Sequence, residues 1–277
     1  MNRDVLMAIY DFTGKTFAVT GGAGVLAGGV VTTLASCGAN VMILDRNLER
    51  LPVIKESAGP DGSRIDGCLV DVMNHDSLVV AGEAIRKRFG TLYGLVNAAG
   101  GNSPRATCSP TMSYFDIPED ALRFVLDLNI LGTMMPCQIL AKQMVETGEG
   151  VILNYSSMNA FRPLTNIAAY SASKAAITNF TAWLAVHMAQ NYSSKIRVNA
   201  IAPGFFLTEQ NRFLLTDKDT GAWTPRGQKI FDHTPMGRLG VDEDTLGCVL
   251  WLLSGASAFV TGITVPVDGG FSAYAGV

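Results

Sequence analysis

The sequence predicts an α/β fold, a single doubly wound domain whose parallel sheet of roughly seven strands carries helices on both faces. Three observations lead there. Short β-rich apolar runs alternate with longer segments of helical period, the pattern of βαβ units. A glycine-rich turn follows the first of those runs. Two long stretches, 16–44 and 245–267, carry no charge. Both exceed the ~20 residues that a membrane span needs. Glycines, Ser36 and Asn40 interrupt the first, and Ser254, Gly255, Gly262 and Pro266 the second. They read instead as buried parallel strands with their packed helices.

Phe17-Ala18-Val19-Thr20 opens the series as a strand. Val25 to Cys37 follows with helical period, and Gly38 stops it, glycine being the usual residue just past a helix end. Asn40 to Asp45 is the second strand, an unbroken apolar run closed by a carboxylate. Gly67 to Asp71 is the third and Leu95 to Asn97 the fourth. The long segment Asp120 to Glu146 has helical period. Val151 to Tyr155 is the fifth strand, Ala168 to Gln190 the next helix, and Ile196 to Ile201 the sixth strand. Ile263 to Val267 closes the series. No linker, repeat or low-complexity tract divides residues 1–277, so one domain is expected. Two irregular segments, 100–118 and 205–235, are rich in polar residues, glycine and proline. Long loops in a compact α/β domain usually wall or cover a substrate.

Hydrophobic residues make up 48% of the 277, enough for one large core, and the net charge is only −3. No basic run suggests nucleic acid. Charged residues are just 16%, which points to surface covered by other subunits. Five scattered cysteines without CxxC spacing suit free thiols in a reducing compartment, and no signal peptide is visible. A cytoplasmic location is therefore expected. The three histidines lack the spacing of a metal site, so no metal is expected.

Thr20 to Gly28 reads TGGAGVLAG and stands between the first strand and the first helix. Glycines there let the backbone approach a pyrophosphate, which a helix N-terminus attracts. Asp45, 24 residues past Gly21, ends the second strand, where a carboxylate accepts hydrogen bonds from the adenosine ribose and repels a 2′-phosphate. This favours NAD over NADP, although Arg46 beside it could accommodate the phosphate. Asp71 and Val72 would lie near the adenine, or Asp71 would merely cap a helix. Tyr170 and Lys174 are four residues apart, on one face of a helix. A free phenol titrates near ~10, and a neighbouring ammonium favours the phenolate, so the pair suits proton transfer.

Together these pieces resemble the short-chain dehydrogenase/reductase family over nearly the whole chain. The matching motifs are the Gly-rich turn, Asp71-Val72, Asn97-Ala98-Ala99-Gly100, Asn129 within Leu128 to Gly132, and Ser156-Ser157. The Tyr170/Lys174 pair, Asn199 to Gly204 and Asp268-Gly269-Gly270 complete the set. The resemblance implies a Rossmann-type domain and a catalytic set of Asn129, Ser157, Tyr170 and Lys174. Ser157 would polarise the substrate oxygen and Tyr170 would exchange the proton. Lys174 would lower the tyrosine's pKa and hold the nicotinamide ribose, and Asn129 would fix a helix and a water. The cofactor would touch Gly21, Gly24, Val25, Leu26, Asp45, Arg46, Asp71, Val72, Asn97, Ala98, Ala99, Tyr170, Lys174, Pro203, Gly204, Phe206 and Thr208. Two motifs depart from the pattern. Val25 and Ala27 stand where glycines usually fall, and Ala98 replaces an asparagine.

A narrower similarity is to the D-mannonate oxidoreductase (fructuronate reductase) subgroup. It rests on Ser157 to Phe161, Ala202 to Arg212, Thr234 to Arg238, the Gly-Gly-Val-Leu form of the first turn, and Gly269 to Tyr274. It implies oxidation of D-mannonate with NAD, or the reverse. Asn102, Arg105, Asn159, Arg162, Gln210, Asn211 and Arg212 flank the motifs and would suit a sugar acid, arginine pairing well with carboxylates. The same polar lining would suit gluconate-type acids or polyols. A nucleotide-sensing protein without catalysis is the reading from another class, and retention of both Tyr170 and Lys174 argues against it. The low charge of the tail, where Asp268 is the one charged residue in 262–277, suggests a homotetramer with Phe271 and Tyr274 at an interface.

Overall fold

In the computed structural model the described residues are 2–207, 215–217 and 220–276. Helix α1 (Arg3–Ile9) precedes β1 (Thr16–Thr20), α2 (Val25–Ser36), β2 (Asn40–Asp45), α3 (Leu51–Ser57), β3 (Ile65–Leu69), α4 (His75–Phe89) and β4 (Leu92–Asn97). Then come α5 (Glu119–Leu126), a π-helical turn at Asp127–Leu131, α6 (Gly132–Leu140), α7 (Lys142–Thr147) and β5 (Gly150–Tyr155). Helix α8 (Ala168–Asn191), β6 (Ile196–Pro203), α9 (Pro225–Asp232), α10 (Glu243–Leu253) and β7 (Thr264–Val267) complete the order.

The seven strands form one sheet in the order β3-β2-β1-β4-β5-β6-β7, with every neighbouring pair parallel. Side chains alternate between its faces, so each strand feeds two cores. Phe17, Val19, Val41, Ile43, Val151 and Leu153 pack with α2 and α10. Ala18, Met42, Leu44, Leu95 and Ile152 pack with α4, α6 and α8. Burial on both faces is why these strands read as continuous apolar runs. The chain winds outward from β1 to β3, then crosses to β4 and winds the other way. The strand order thus reverses between β1 and β4, and ligands of open α/β sheets bind at the carboxyl end of such a reversal.

Some boundaries differ from the sequence expectation. β3 ends at Leu69, so Asp71 lies beyond it. There its carboxylate accepts from the Met73 N–H at 3.0 Å. The long segment 120–146 is not one regular helix, because the π turn interrupts it at Asn129. The stretch Glu119–Thr147 is long and apolar enough to cross a membrane by length and composition, but half of its most apolar window is buried inside the fold. The uncharged stretches 16–44 and 245–267 form strands and helices with buried apolar faces, as read from the sequence. All five cysteines are free thiols.

Candidate active site

The Gly-rich turn is shaped by close approach. Gly21 has φ +65°, and a Cβ there would lie 2.9 Å from the backbone of Ala99. Any side chain would push β1 away from the turn after β4. A Cβ at Gly24 would meet the Gly21 carbonyl at 3.0 Å, whereas Gly28 has no neighbour closer than 3.8 Å. The displaced glycine at 24 therefore serves the turn, and the one at 28 is not sterically required. Gly24 caps α2 without any side-chain hydrogen bond, and the first turn of the helix, Val25 to Ala27, lines the cleft. That is an anion site, and with the glycine cradle it fits a dinucleotide's pyrophosphate.

The cleft at the strand reversal has a volume of about 570 Å³. Gly21, Gly24, Val25, Leu26, Asp45, Arg46, Val72, Ala98, Ala99, Gly204 and Phe206 line it. Tyr155, Leu128, Val70 and Gly100 join them, although the sequence reading did not name them as cofactor contacts. Asp45 does two jobs at its rim. Its Oδ2 accepts from the Ala23 N–H of the turn at 3.1 Å and its Oδ1 from Asn47 N–H at 3.2 Å. Arg50 donates to the Ala23 carbonyl at 2.6 Å, so the turn is held from both sides.

Three expected cofactor contacts fall elsewhere. Asn97 faces the core with Leu95. Its Nδ2 donates to Asn154 Oδ1 at 2.9 Å and to Cys137 Sγ at 3.1 Å, and it is 1% exposed. Asn154 passes the chain of bonds to Thr181 at 3.0 Å. Period-2 alternation put Asn97 on the helix-covered face, away from the cleft. Pro203 is buried at the end of β6 and Asp71 turns back onto its own loop. Thr208 lies outside the described residues, as do Gln210, Asn211 and Arg212.

The proton-transfer residues meet at the carboxyl end of β5. Lys174 is 4% exposed, and its Nζ donates to the Tyr155 carbonyl at 2.8 Å and lies 5.5 Å from the centre of the Tyr170 ring. Burial lowers its pKa to about 8. The two adjacent serines separate cleanly. Ser156 Oγ binds the Lys174 carbonyl at 3.0 Å and Thr178 at 2.8 Å, tying β5 to α8. Ser157 Oγ instead takes the Asn159 backbone N–H at 3.3 Å and the Asn159 amide at 3.2 Å, and its side chain favours the ionised form of Tyr170. The Tyr170 ring is partly exposed, but enclosure of its hydroxyl raises the phenol's pKa, and the Ser157 hydrogen bond opposes that rise. This corrects the sequence expectation of a lowered phenol. Lys174 is itself desolvated and committed to a carbonyl, so burial dominates.

Asn129 is fully buried in the π turn. Its amide Nδ2 donates to the Gly101 carbonyl at 2.7 Å and the Val125 carbonyl at 2.8 Å, and its Oδ1 accepts from Gly101 N–H at 3.1 Å. It thus clamps the loop after β4 beside Lys174, and π-bulges recur at functional sites for such reasons. Its own carbonyl accepts from Thr133 Oγ1 at 2.8 Å.

The candidate substrate residues fare unequally. Arg105 is held by Asp120 through two bonds, at 2.7 and 3.1 Å. Asn102 donates to Thr107 at 2.9 Å. Arg162 is exposed and uses Nε on the Ser272 carbonyl at 3.2 Å, which leaves its two Nη groups open among the described residues. Asn159 is 6% exposed and bonds inward. Phe271 packs within its own chain, on Phe205 and His233 with ring centres 5.1 and 4.6 Å apart, while Tyr274 also meets His233 at 4.9 Å.

The family model described as enoyl-(acyl carrier protein) reductase matches residues 21–272. The chain is 44% identical to an uncharacterised oxidoreductase, UxuB, of Bacillus subtilis (strain 168), over 96% of this chain and 98% of that one. Among solved structures it is similar to a protein of Haemophilus influenza, provisionally named a D-mannonate oxidoreductase and holding bound NAD. The TM-score is 0.91 and the identity 41%, over 98% of this chain and 100% of that one. It is also similar to a gluconate 5-dehydrogenase of Burkholderia cenocepacia J2315 in complex with NADP and tartrate, with TM-score 0.82 and 28% identity over 97% and 99% of the two chains. With the strand reversal, the glycine cradle and the Ser157, Tyr170 and Lys174 set at the carboxyl end of β5, these matches make the chain a member of the short-chain dehydrogenase/reductase family of oxidoreductases.

Proposed function

We propose that the protein is an NAD-dependent oxidoreductase of sugar acids that interconverts D-mannonate and D-fructuronate. The observation that carries this reading is the Ser157, Tyr170 and Lys174 set, with Lys174 bonded to the Tyr155 carbonyl beside the cleft that Tyr155 lines, in a chain 41% identical to the NAD-bound Haemophilus protein. When bound, the nicotinamide supplies the hydride acceptor or donor. In the oxidation direction Ser157 donates to the substrate oxygen and Tyr170 takes the hydroxyl proton as the C–H hydride leaves and the carbonyl forms. Lys174 offers its Nζ to the ribose. Of the candidate arginines, Arg105 is committed to Asp120, so Arg162 is the described one whose guanidinium fork is open to a carboxylate.

The gluconate 5-dehydrogenase similarity supports a second reading, a reductase of gluconate-type acids or polyols. A spectrophotometric screen of NADH formation across aldonates and polyols separates the two. D-Mannonate is expected to give the highest kcat/KM, and a better gluconate or polyol substrate would reject the first reading.

Asp45 supports the choice of NAD. NAD is expected to exceed NADP in kcat/KM, and Asp45→Ala to narrow the gap. Because the carboxylate also holds the Ala23 N–H, the variant should lose affinity for both cofactors. A native preference for NADP would show that Arg46 governs the pocket.

Assembly belongs to the same reading: a homotetramer in a reducing, cytoplasmic setting. Trp183 on α8, Tyr192 at its end, Met134 on α6 and Leu131 in the π turn are exposed around a groove of about 620 Å³. An apolar face of this kind on a soluble enzyme suits a second copy. Light scattering is expected to give a tetramer, and a monomer that turns over substrate at full rate would refute it. Because Phe271 packs on its own chain, removal of residues 272–277 tests the tail separately.

A further inference from the structure

We infer that Asn159 is a positioning residue that forces the Ser157 hydroxyl to donate toward the reaction centre. The inference rests on the proton-transfer role given to Ser157 above, and not on the identity of the substrate.

The geometry is as follows. Ser157 Oγ accepts two hydrogen bonds from one residue, the Asn159 backbone N–H at 3.3 Å and the Asn159 side-chain Nδ2 at 3.2 Å. A hydroxyl oxygen has two lone pairs and one proton. With both acceptor positions taken, the remaining valence is the O–H, which can only donate. That leaves it for the Tyr170 hydroxyl, whose ionisation the Ser157 side chain favours, and in a complex for the substrate oxygen.

The amide cannot be turned round. Its Oδ1 faces the backbone N–H of Leu164 at 3.1 Å and the Ser171 hydroxyl at 3.4 Å. A backbone N–H is a donor in every state, so the oxygen must face Leu164 and the NH₂ must face Ser157. Ser157, Asn159 and Ser171 are each less than a tenth exposed, so water is a poor competitor for these bonds. The supports come from the loop after β5 and from α8, the helix that carries Tyr170 and Lys174. Lys174 is the cation facing the Tyr170 ring, and the Cys108 thiol packs in the same cluster. Sequence reading placed Asn159 among substrate contacts because it follows Ser157 by two residues. Its burial and bonding place it behind Ser157 instead.

Asn159→Asp is the direct test, because it keeps the shape and replaces the donor by an acceptor. The Ser157 proton then turns to the new carboxylate and Tyr170 loses its donor. With whichever alcohol the wild-type enzyme oxidises, kcat is expected to fall about 100-fold, the lower end of the cost of losing one aimed donor. NADH affinity should hold within about two-fold, the residue being behind the serine. Loss of the donor disfavours the phenolate, so the rising limb of the kcat–pH profile should move to higher pH. Asn159→Ala, which adds no charge, should show a smaller fall of the same kind. In a Ser157→Ala background Asn159→Asp should cost little more, because the two act as a unit.

A readout without substrate keeps this test apart from the sugar-acid reading. Tyrosinate ionisation followed by ultraviolet difference, with Tyr170→Phe as the blank, should shift upward in Asn159→Asp. No shift, or a kcat loss that persists undiminished in the Ser157→Ala background, overturns the inference. Failure of every aldonate in the screen would reject the sugar-acid reading alone.

Discussion

Tyr170→Phe is expected to lower kcat at least about 100-fold while NADH binds nearly as in the wild type, the usual size of a general acid–base contribution. The substitution removes one oxygen and keeps the ring. That ring packs with Ala106, Val125 and Ala169, so the loop after β4 and α8 should hold their places. The lost oxygen is the partner of Ser157, and its burial is what places the phenol above its ordinary range. An enzyme needing the phenolate for oxidation should therefore work best in the alkaline range, and the cofactor's positive ring should bring the working value down. Steady-state kinetics with a fluorescence titration of NADH decide the matter. Activity within a few-fold of wild type would remove Tyr170 from the reaction.

Lys174→Met should cost about 100-fold or more in kcat, and it carries a second, less obvious expectation for stability. Lys174 has its pKa lowered from 10.5 to about 8 by burial. Between those values the unfolded chain binds a proton there that the folded chain has released, so wild-type stability rises with pH across that window. Below pH 8 the folded protein carries the buried charge and its full desolvation cost. A methionine carries neither. The melting temperature of the variant relative to wild type should thus be most favourable below pH 8 and should lose ground steadily toward 10.5. Loss of the bond to the Tyr155 carbonyl shifts the whole comparison by a constant, without altering its slope. A pH-independent difference would mean that Lys174 is not desolvated as described.

Much of this was visible in the residues. The alternation of apolar runs with helical segments determined the doubly wound sheet, because a strand buried on both faces must be apolar throughout. TGGAG between β1 and α2 located the cleft, because only glycine tolerates φ +65° with another backbone at 2.9 Å. The four-residue spacing of Tyr170 and Lys174 put them on one helix face before any coordinates. These are local rules, and the sequence alone carries them.

What the tertiary structure decided depends on parity, register and environment. A one-residue difference sends Ser156 to the Lys174 carbonyl and Ser157 to Asn159. The same alternation turned Asn97 onto Asn154 and away from the cleft. Asp120, fifteen positions from Arg105, claims that guanidinium, and Leu164 orients the Asn159 amide. The direction of the Tyr170 shift was misjudged from the motif because a nearby lysine is only one of its causes. How much water each group loses on folding is set by elements distant in the chain, and no local pattern of residues reports it.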